Sequence, residues 1–376
     1  MDFNFTPEEE AFRQEVRAFI AEHKPENDPP TPEETKAWHA KLAEKKWIGF
    51  SWPKEAGGGG ASFIEQFILK EEMSTAKAPP LGTDFMGLTW VGPSIIKYGT
   101  QAQQEKFLPQ LLSGDSVWCT GYSEPDHGSD LGGLQTRAVR DGDHYVITGS
   151  KIWTTLAHEA EYCFLLARSD PDARKYRGLS CILTPMDTPG IEVQPIPNLY
   201  GKHSFNQVFF NDVRVPVENR LGKEGQGWLV VMDALAHERS GISEATEKIQ
   251  HLEDLIELAR TRRKGGQPAL EDAGTRRRLA RFQTQISAMR LNGMRYLTRQ
   301  LRGEDPGTET SVNKVLRGRL EFEMSDVALG LLGAEAQNHG PWQIRSLDFH
   351  GSVIGGGSPN IQRNIIGERV LGLPKD

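Results

Sequence analysis

The segment WCTGYSEPDHGSDLGG, residues 118–133, concentrates hydroxyl-bearing and small residues that suit the binding of a ligand. Gly128 has no side chain, which lets a ligand approach the backbone, and the adjacent Ser129 offers a hydroxyl donor. Such a pair suits a phosphate or the edge of a heteroaromatic ring. The alternative is a polar turn in which Asp and Gly serve only the backbone geometry, and this segment alone leaves both interpretations open.

A second segment, GSKIWTTLAHEA at residues 149–160, brings an indole close to a hydroxyl. If the segment is extended, Trp153 and Thr155 point to the same face and present both groups to a flat heteroaromatic ring. The alternative is that Trp153 fills the core between a strand and a helix.

The C-terminal run GSVIGGGSPNIQRNIIGERVLGLPKD, residues 351–376, combines glycines with a helix start. Three glycines lead into Ser358 and Pro359, which have the character of a helix cap and a first helical residue. Glycine-rich backbone that ends at a helix N-terminus exposes unpaired N–H groups, the usual basis for binding a phosphate or pyrophosphate. The alternative is a flexible linker before a terminal helix.

The fourth segment is ALAHERSGIS, residues 234–243, in a predicted helix. Glu238 and Arg239 are neighbours in sequence, so their side chains diverge by about 100° around the helix and are poor partners for each other. They can therefore serve two different sites. The alternative is a solvated helix surface.

Composition excludes several classes of protein. The chain has 376 residues, 37% of them apolar, and a net charge of −7, which is ordinary globular composition and disfavours nonspecific attraction to nucleic acid or to an anionic membrane. Cys119, Cys163 and Cys181 lack the spacing of a zinc site or a disulfide framework, and we interpret them as small buried hydrophobic residues. No secretory signal or spanning segment is visible, so the expected location is cytoplasmic.

Helices are predicted at the two ends of the chain. Thr6 with Glu9 and Thr31 with Glu34 have capping-box spacing, and each pair encloses a proline at the first helical position. Helical apolar periodicity returns after Gly227, with Gly and Pro between the periodic stretches.

The middle of the chain has the sequence pattern of a β-domain. Short alternating runs such as HYVITG, EYCFLLAR and QVFFNDVRVP are separated by Gly, Asp and Pro, and the sequence DGD at 141–143 is typical of a hairpin turn. No strand precedes a GxGxxG pattern, which argues against a Rossmann dinucleotide fold. We predict an α+β protein with an N-terminal helical domain at 1–117, a β-domain at 118–225 and a C-terminal helical domain at 226–376.

Taken together, in this order and within this layout, the segments resemble the acyl-CoA dehydrogenase family over essentially the whole chain. The matching motifs are GYSEPDHGSD, GSKIWTT, NDVRVPVENRLGKEGQGW and IQRNIIGERVLGLP. The resemblance implies FAD as cofactor, contacted by Thr120, Tyr122, Ser123, Gly128, Ser129, Trp153, Thr155, Ser358 and Asn360.

The resemblance also implies a reaction and a base. In the family a carboxylate removes the α-proton of an acyl-CoA thioester while the β-hydride leaves for flavin N5, which gives a 2-enoyl-CoA. The usual glutamate of the terminal loop is absent, because Gly356 occupies that position. Isovaleryl- and long-chain-type members instead carry their glutamate immediately before an active-site arginine, which here assigns Glu238 as base and Arg239 as its substrate-side neighbour.

The acyl group and the partners are expectations of the same kind. Gly355 and Gly356 remove side chains near the reacting carbon, which favours a branched, cyclic or otherwise bulky acyl group, and Gly356 can still lend its N–H to the thioester carbonyl. An electron-transferring flavoprotein is the expected oxidant. The family's RxxFG motif is not recognisable, which fits a homo-oligomer or a mixed assembly with a homologous subunit, as in bacterial members acting on steroid side chains. The alternatives are a flavin monooxygenase or oxidase of the same fold and a noncatalytic FAD-holding subunit.

Overall fold

The computed structural model describes residues 5–82, 84–238, 242–304, 307–308 and 310–375, without the side chains of 236–238 and 242–244. The described residues form two compact units. One, here called the helical unit, lies within Met1–Lys24, Ser62–Ala78 and Arg239–Asp376. The other, here called the sheet unit, comprises Pro25–Ala61 and Pro79–Glu238. This grouping joins segments that are distant in sequence, and the three consecutive domains remain a prediction.

The helical unit contains most of the helices of the described chain. Their bounds are α1 Pro7–His23, α3 Phe63–Thr75, α7 Ile242–Thr261, α8 Ala273–Leu301, α9 Thr310–Leu332, α10 Pro341–Ser352 and α11 Pro359–Ile365. The core lies where α7, α8 and α9 meet, and Leu255, Phe282 and Met324 are buried there. A short hairpin of β9 (Arg263–Lys264) and β10 (Gln267–Pro268) connects α7 to α8.

The sheet unit is built on eight strands, flanked by four helices of the described chain. The helices are α2 Pro32–Glu44, α4 Gly92–Tyr98, α5 Gln101–Ser113 and α6 Gly227–Glu238. The strands are β1 Trp118–Gly121, β2 Arg137–Asp141, β3 His144–Lys151, β4 Tyr162–Arg168, β5 Leu179–Pro185, β6 Ile191–Pro197, β7 His203–Pro216 and β8 Arg220–Leu221. Their order is β6-β7-β3-β2-β4-β5-β8, and β1 pairs with β4 in parallel.

Local sequence signals account for where these elements begin. Both predicted capping boxes are present: the Thr6 hydroxyl accepts from Glu9 N at 3.2 Å, and Thr31 does the same for Glu34. The predicted hairpin at DGD is also confirmed, because β2 and β3 pair antiparallel around Gly142, whose φ is +61°. Each of these features depends on neighbours within a few residues, so the sequence contains all the information that they need.

Helix α6 is fixed closely to the sheet. Val230, Val231 and Ala234 are buried in the same cluster as Phe164 and Leu183 of the central strands. At its first turn, a Cβ placed on Gly227 would lie 2.5–2.8 Å from backbone atoms of Ser180 and Cys181. Since backbone atoms cannot move aside as a side chain does, glycine is required there by close approach. Helix α6 ends at Glu238, so this contact helps to fix the backbone that carries the proposed base.

The predicted fold class, α+β with terminal helices and a middle β-region, is confirmed. All three cysteines are buried and free, as predicted. Within the described ranges, none of the helices combines the length and the apolar character needed to cross a membrane.

Candidate active site

The segment that follows β1 leaves its backbone open to ligands. Gly128 and Ser129 are exposed, and a Cβ built on Gly128 would meet no atom within 4 Å. Thr120 is half-buried on β1, with its hydroxyl 3.9 Å from the sulfur of Met86. Packing in the sheet unit therefore does not demand a glycine at 128, and access for a ligand is a physical reason to have one.

Tyr122 and Ser123 lie between β1 and that open turn. The Tyr122 ring packs edge-on against Phe164, with ring centroids 6.1 Å apart. The Ser123 carbonyl accepts a hydrogen bond from Ile152 N at 2.9 Å. This bond ties the first candidate ligand-binding segment of the sequence to the second.

The second segment is not extended, so the proposed alternation of Trp153 and Thr155 on one face of a strand is wrong. Strand β3 ends at Lys151, and Trp153 has a φ of +60°. A positive φ turns the chain out of the β conformation and costs a non-glycine residue about 1–2 kcal/mol. Trp153 is nevertheless 58% exposed, so it does not fill the core, and Thr155 is half-buried.

A buried ion pair joins the two segments. The Lys151 ammonium is fully buried, 3.0 Å from the Tyr122 carbonyl and 2.9 Å from the Glu124 carboxylate. Glu124 also accepts from the backbone N–H groups of Gln135 and Thr136, at 2.6 and 2.8 Å. No sequence motif indicates this pair, because charges 27 residues apart form no local pattern.

Electrostatics within this pair follow from burial. Burial opposes ionisation of Glu124, but Lys151 and the donors from Thr136 and Gln135 outweigh it, so the pKa of Glu124 is lowered. Burial lowers the pKa of Lys151, and Glu124 offsets this only in part. The pair is therefore a buried cross-link in which each member compensates the burial of the other.

The terminal loop belongs to the helical unit. Gly355 and Gly356 are exposed, and Gly356 has a φ of +67°. Buried Gln362 donates to the carbonyls of Gly356 and Gly357 at 3.2 and 3.3 Å, and the Lys314 ammonium donates to that of Gly355. The loop is thus fixed by side chains at three successive carbonyls.

Ser358 and Asn360 begin the helix that follows. The Ser358 hydroxyl accepts from Ile361 N at 3.4 Å, which confirms the predicted cap of α11. Asn360 is exposed and its side-chain oxygen accepts from Arg363. A cofactor contact at these two residues remains a prediction.

The base position is only partly described. Helix α6 ends at Glu238, whose side chain lies outside the description, and Arg239 lies outside the described residues. One turn earlier, Asp233 of α6 pairs with Lys97 and accepts from the Tyr98 hydroxyl of α4. These contacts fix the course of α6 within the sheet unit.

A cluster of possible metal ligands in the helical unit has another explanation. Glu247, His251 and Glu321 bring ligand atoms within 4.8 Å of one another. The Lys248 ammonium donates to Glu247 at 3.0 Å and also pairs with Glu321. Burial lowers the pKa of His251 to about 4, so its imidazole is neutral. Because the Lys248 ammonium already pairs with both carboxylates, buried Glu321 and exposed Glu247, the cluster is explained as an ion-pair contact between α7 and α9.

Comparison with known proteins shows the family. Models of the N-terminal, middle and C-terminal domains of acyl-CoA dehydrogenases match residues 6–115, 119–213 and 225–371. The chain belongs to the acyl-CoA dehydrogenase family, and it is an oxidoreductase of the class that acts on CH–CH bonds. Membership implies a flavin cofactor.

The relatives are full-length matches. The chain is 37% identical over 390 residues to acyl-CoA dehydrogenase IpdE1 of Mycobacterium tuberculosis, covering 98% of each chain. It resembles the solved structure of the Tcur3481-Tcur3483 steroid ACAD with 32% identity, a TM-score of 0.84 and full coverage of both chains. The ChsE4-ChsE5 complex from Mycobacterium tuberculosis matches with 32% identity, a TM-score of 0.85 and full coverage.

The residues of the sheet unit fit a flavin. Trp153 presents a large exposed indole in a strained conformation, and strain of this kind is typical of residues that serve a ligand. Open backbone at Gly128 and the exposed Ser129 suit an approaching phosphate group. Thr120 and Thr155 add half-buried hydroxyls.

Two adjacent threonines allow a matched pair of substitutions. The Thr154 side chain is fully buried, and its hydroxyl has no hydrogen-bond partner among the described residues. We expect Thr154→Val to raise the free energy of unfolding by about 1 kcal/mol, because it removes an uncompensated buried polar group. Thr155→Val is expected to leave apoprotein stability within about 0.5 kcal/mol and to weaken flavin binding several-fold.

Urea unfolding of the apoproteins and fluorescence titration with FAD measure both effects. A loss of stability in Thr154→Val would contradict the expected gain in unfolding free energy. Unchanged FAD affinity in Thr155→Val would contradict the expected role of its hydroxyl in flavin binding.

Proposed function

We propose that the chain is an FAD-dependent acyl-CoA dehydrogenase that converts a bulky acyl-CoA, of the branched, cyclic or steroid type, to its 2-enoyl-CoA. The observation that carries the proposal is full-length similarity to the Tcur3481-Tcur3483 steroid ACAD, together with a terminal loop that has glycine where most members have glutamate. Gly355 and Gly356 are exposed, and a Cβ built on Gly355 would meet no atom closer than 3.8 Å, which supports room for a bulky acyl group there. At Gly356 the Lys314 ammonium would lie 2.9 Å from such a Cβ.

Glu238 is the proposed general base. It would take the α-proton of the thioester, and exclusion of water by a bulky acyl group would raise its pKa toward the working pH. The proposal is supported by its place on α6, a helix packed against β4 and β5 within the sheet unit. Arg239 is the proposed substrate-side neighbour.

The enolate that develops on the thioester requires donors. The N–H of Gly356 is the proposed donor to the carbonyl oxygen, since a preorganised N–H in a water-poor site stabilises developing negative charge. Support comes from the fixed loop: Gln362 and Lys314 bind its carbonyls, so the N–H groups do not need to reorganise during the reaction.

The proposed FAD contacts are the residues that the resemblance assigns: Thr120, Tyr122, Ser123, Gly128, Ser129, Trp153, Thr155, Ser358 and Asn360. Bound FAD would supply the acceptor for the β-hydride at N5. These residues would hold and cover the flavin ring and bind the phosphates of FAD.

An electron-transferring flavoprotein is the proposed oxidant, and a homologous chain is a proposed partner subunit. The second proposal is supported by the ChsE4-ChsE5 relative, which is a complex of two named chains. Size measurement of the chain purified alone and co-expressed with a homologous subunit distinguishes a homo-oligomer from a mixed assembly.

Anaerobic titration tests the function. The purified chain should be yellow, and straight, branched and steroid acyl-CoAs are added in turn while the absorbance of oxidised flavin is followed. Bleaching by bulky acyl-CoAs, with an enoyl-CoA product by mass spectrometry, is the expected result. Bleaching only by short straight chains would contradict the proposed substrate class.

Oxygen consumption by reduced flavin without any CoA ester would favour a monooxygenase or oxidase. Flavin that no acyl-CoA bleaches would favour a noncatalytic subunit.

A further inference from the structure

The turn that carries Trp153 and Thr155 is strained at both ends. Trp153 has a φ of +60° and Leu156 a φ of +58°. Each left-handed residue other than glycine carries a conformational cost, and such residues persist only where surrounding contacts over-determine them. The contacts that impose this shape therefore determine how the indole and the hydroxyl are presented.

Asn206 of β7 provides most of those contacts. Its backbone pairs twice with Thr154, through Thr154 N to Asn206 O at 2.9 Å and Asn206 N to Thr154 O at 3.1 Å. Its side-chain Nδ2 donates to the same Thr154 carbonyl at 3.0 Å. Farther along the turn, Leu156 N donates to Ser204 O at 3.1 Å.

The orientation of the Asn206 amide is determined by chemistry. A carbonyl oxygen only accepts, so the side-chain atom that faces Thr154 O must be the amide nitrogen. The second proton of that nitrogen points to His158 Nδ1 at 3.1 Å, and Oδ1 lies 2.7 Å from His203 Nε2. His158 Nδ1 is thus an acceptor and His203 Nε2 a donor. The two imidazoles stack, with centroids 3.8 Å apart.

We propose that Asn206 is a positioning residue for flavin binding, which holds the strained Trp153–Thr155 turn through the Thr154 carbonyl and whose amide is oriented by His158 and His203. It does not touch the cofactor in this role. This inference rests on the proposed function, because it assigns that turn to the flavin site.

The two imidazoles border a cleft of the sheet unit. His158, His203 and Asn206 line this cleft of about 630 Å³, together with Asp115, Glu161, Tyr162 and Asp187. The carboxylate of Glu159 lies 3.4 Å from His158 Nε2.

The test compares two buried amides of the same unit. Asn219 donates to the Leu183 carbonyl at 2.8 Å, away from the Trp153 turn, so Asn219→Ala controls for the loss of a buried amide. Asn206→Ala is expected to weaken FAD binding by the apoprotein about 10-fold or more relative to Asn219→Ala, with apoprotein melting temperatures lowered similarly. Equal FAD affinity in the two variants would overturn the inference. If the unaltered protein fails to bind FAD, the proposed function itself has failed.

A conservative variant isolates the donor to the Thr154 carbonyl. In Asn206→Asp, a carboxylate oxygen replaces Nδ2 and cannot donate to the Thr154 carbonyl, so the bond that holds the turn is lost while the shape of the side chain is kept. We expect the FAD affinity of Asn206→Asp to fall about as far as that of Asn206→Ala, whereas Asn219→Asp, which loses the corresponding donor to the Leu183 carbonyl, keeps the FAD affinity of the unaltered protein. Equal FAD affinity in the two Asp variants would overturn the role of the Thr154 contact.

Discussion

Glu238→Gln is expected to reduce turnover and α-proton exchange by about 10²- to 10⁴-fold, which is the usual contribution of a general base. Glutamine has almost the same shape as glutamate but cannot accept the α-proton. Because the substitution only removes the base, bound flavin and substrate affinity should persist. Exchange of the α-proton with deuterium oxide, measured by mass spectrometry, reports this step independently of flavin reoxidation.

A second carboxylate controls for general effects of charge. Glu192 is exposed on β6, so Glu192→Gln changes the net charge equally and should leave the exchange rate unchanged. If Glu238→Gln retains turnover, the base lies elsewhere in the chain. If the variant loses flavin as well as activity, Glu238 has a structural role and the assignment as base is not supported.

Lys151→Met is expected to lower the free energy of unfolding by about 3–5 kcal/mol and to weaken flavin binding. The cause is the Glu124 carboxylate, which would remain buried without the ammonium that compensates it. The same ammonium ties the Tyr122 carbonyl to the end of β3, so its loss should loosen the two proposed flavin-binding segments together. Urea unfolding and FAD titration measure the two effects.

The pH dependence of that variant has a definite sign. In the unaltered protein the pKa of Glu124 is lowered, so its contribution to stability is present above its unfolded pKa and is lost as the pH falls through the lower folded value. Without Lys151, the burial of Glu124 remains while the ammonium that lowers its pKa is lost, so we expect the pKa of Glu124 to rise relative to the parent. The stability deficit of Lys151→Met relative to the parent should therefore shrink as the pH is lowered.

An exposed ion pair of the same unit is the control. Arg214 pairs with Asp141 at 2.7 Å, and both side chains are more than half exposed. Arg214→Met should cost about 1 kcal/mol or less, since solvent screens that pair. A loss of unfolding free energy in Lys151→Met that is no larger than in Arg214→Met would contradict the role given to the buried pair. The double variant Lys151→Met/Glu124→Gln should be more stable than Lys151→Met alone, and failure to recover stability would also contradict that role.

Local signals made the fold predictable. The capping boxes at Thr6 and Thr31 and the turn at Gly142 need only residues within a few positions, and each appears where the sequence predicts it. Buried strands such as β4 are continuous apolar runs, which the sequence displays directly. The order β6-β7-β3-β2-β4-β5-β8 was not accessible in this way, because pairing between distant strands depends on packing and not on local pattern.

Part of the site was also within reach of sequence. Gly128, Ser129 and Trp153 were selected by residue type and motif, and each has an exposed, ligand-accessible setting in the sheet unit. The expected geometry of Trp153 was wrong, because alternation along a strand presumes extended backbone and the residue has a positive φ. The residue types at 153–155 do not indicate a positive φ at Trp153.

The sequence by itself determined the element types, the helix starts, the family and the candidate residues, since all of these are carried by short-range pattern or by ordered motifs. Only the tertiary structure decided that Lys151 neutralises Glu124 and that Asn206 holds the Thr154 carbonyl. These partners are 27 and 52 residues apart. Such a hydrogen bond forms only when folding excludes water and brings its two partners within 3 Å of each other. No local sequence pattern therefore predicts it.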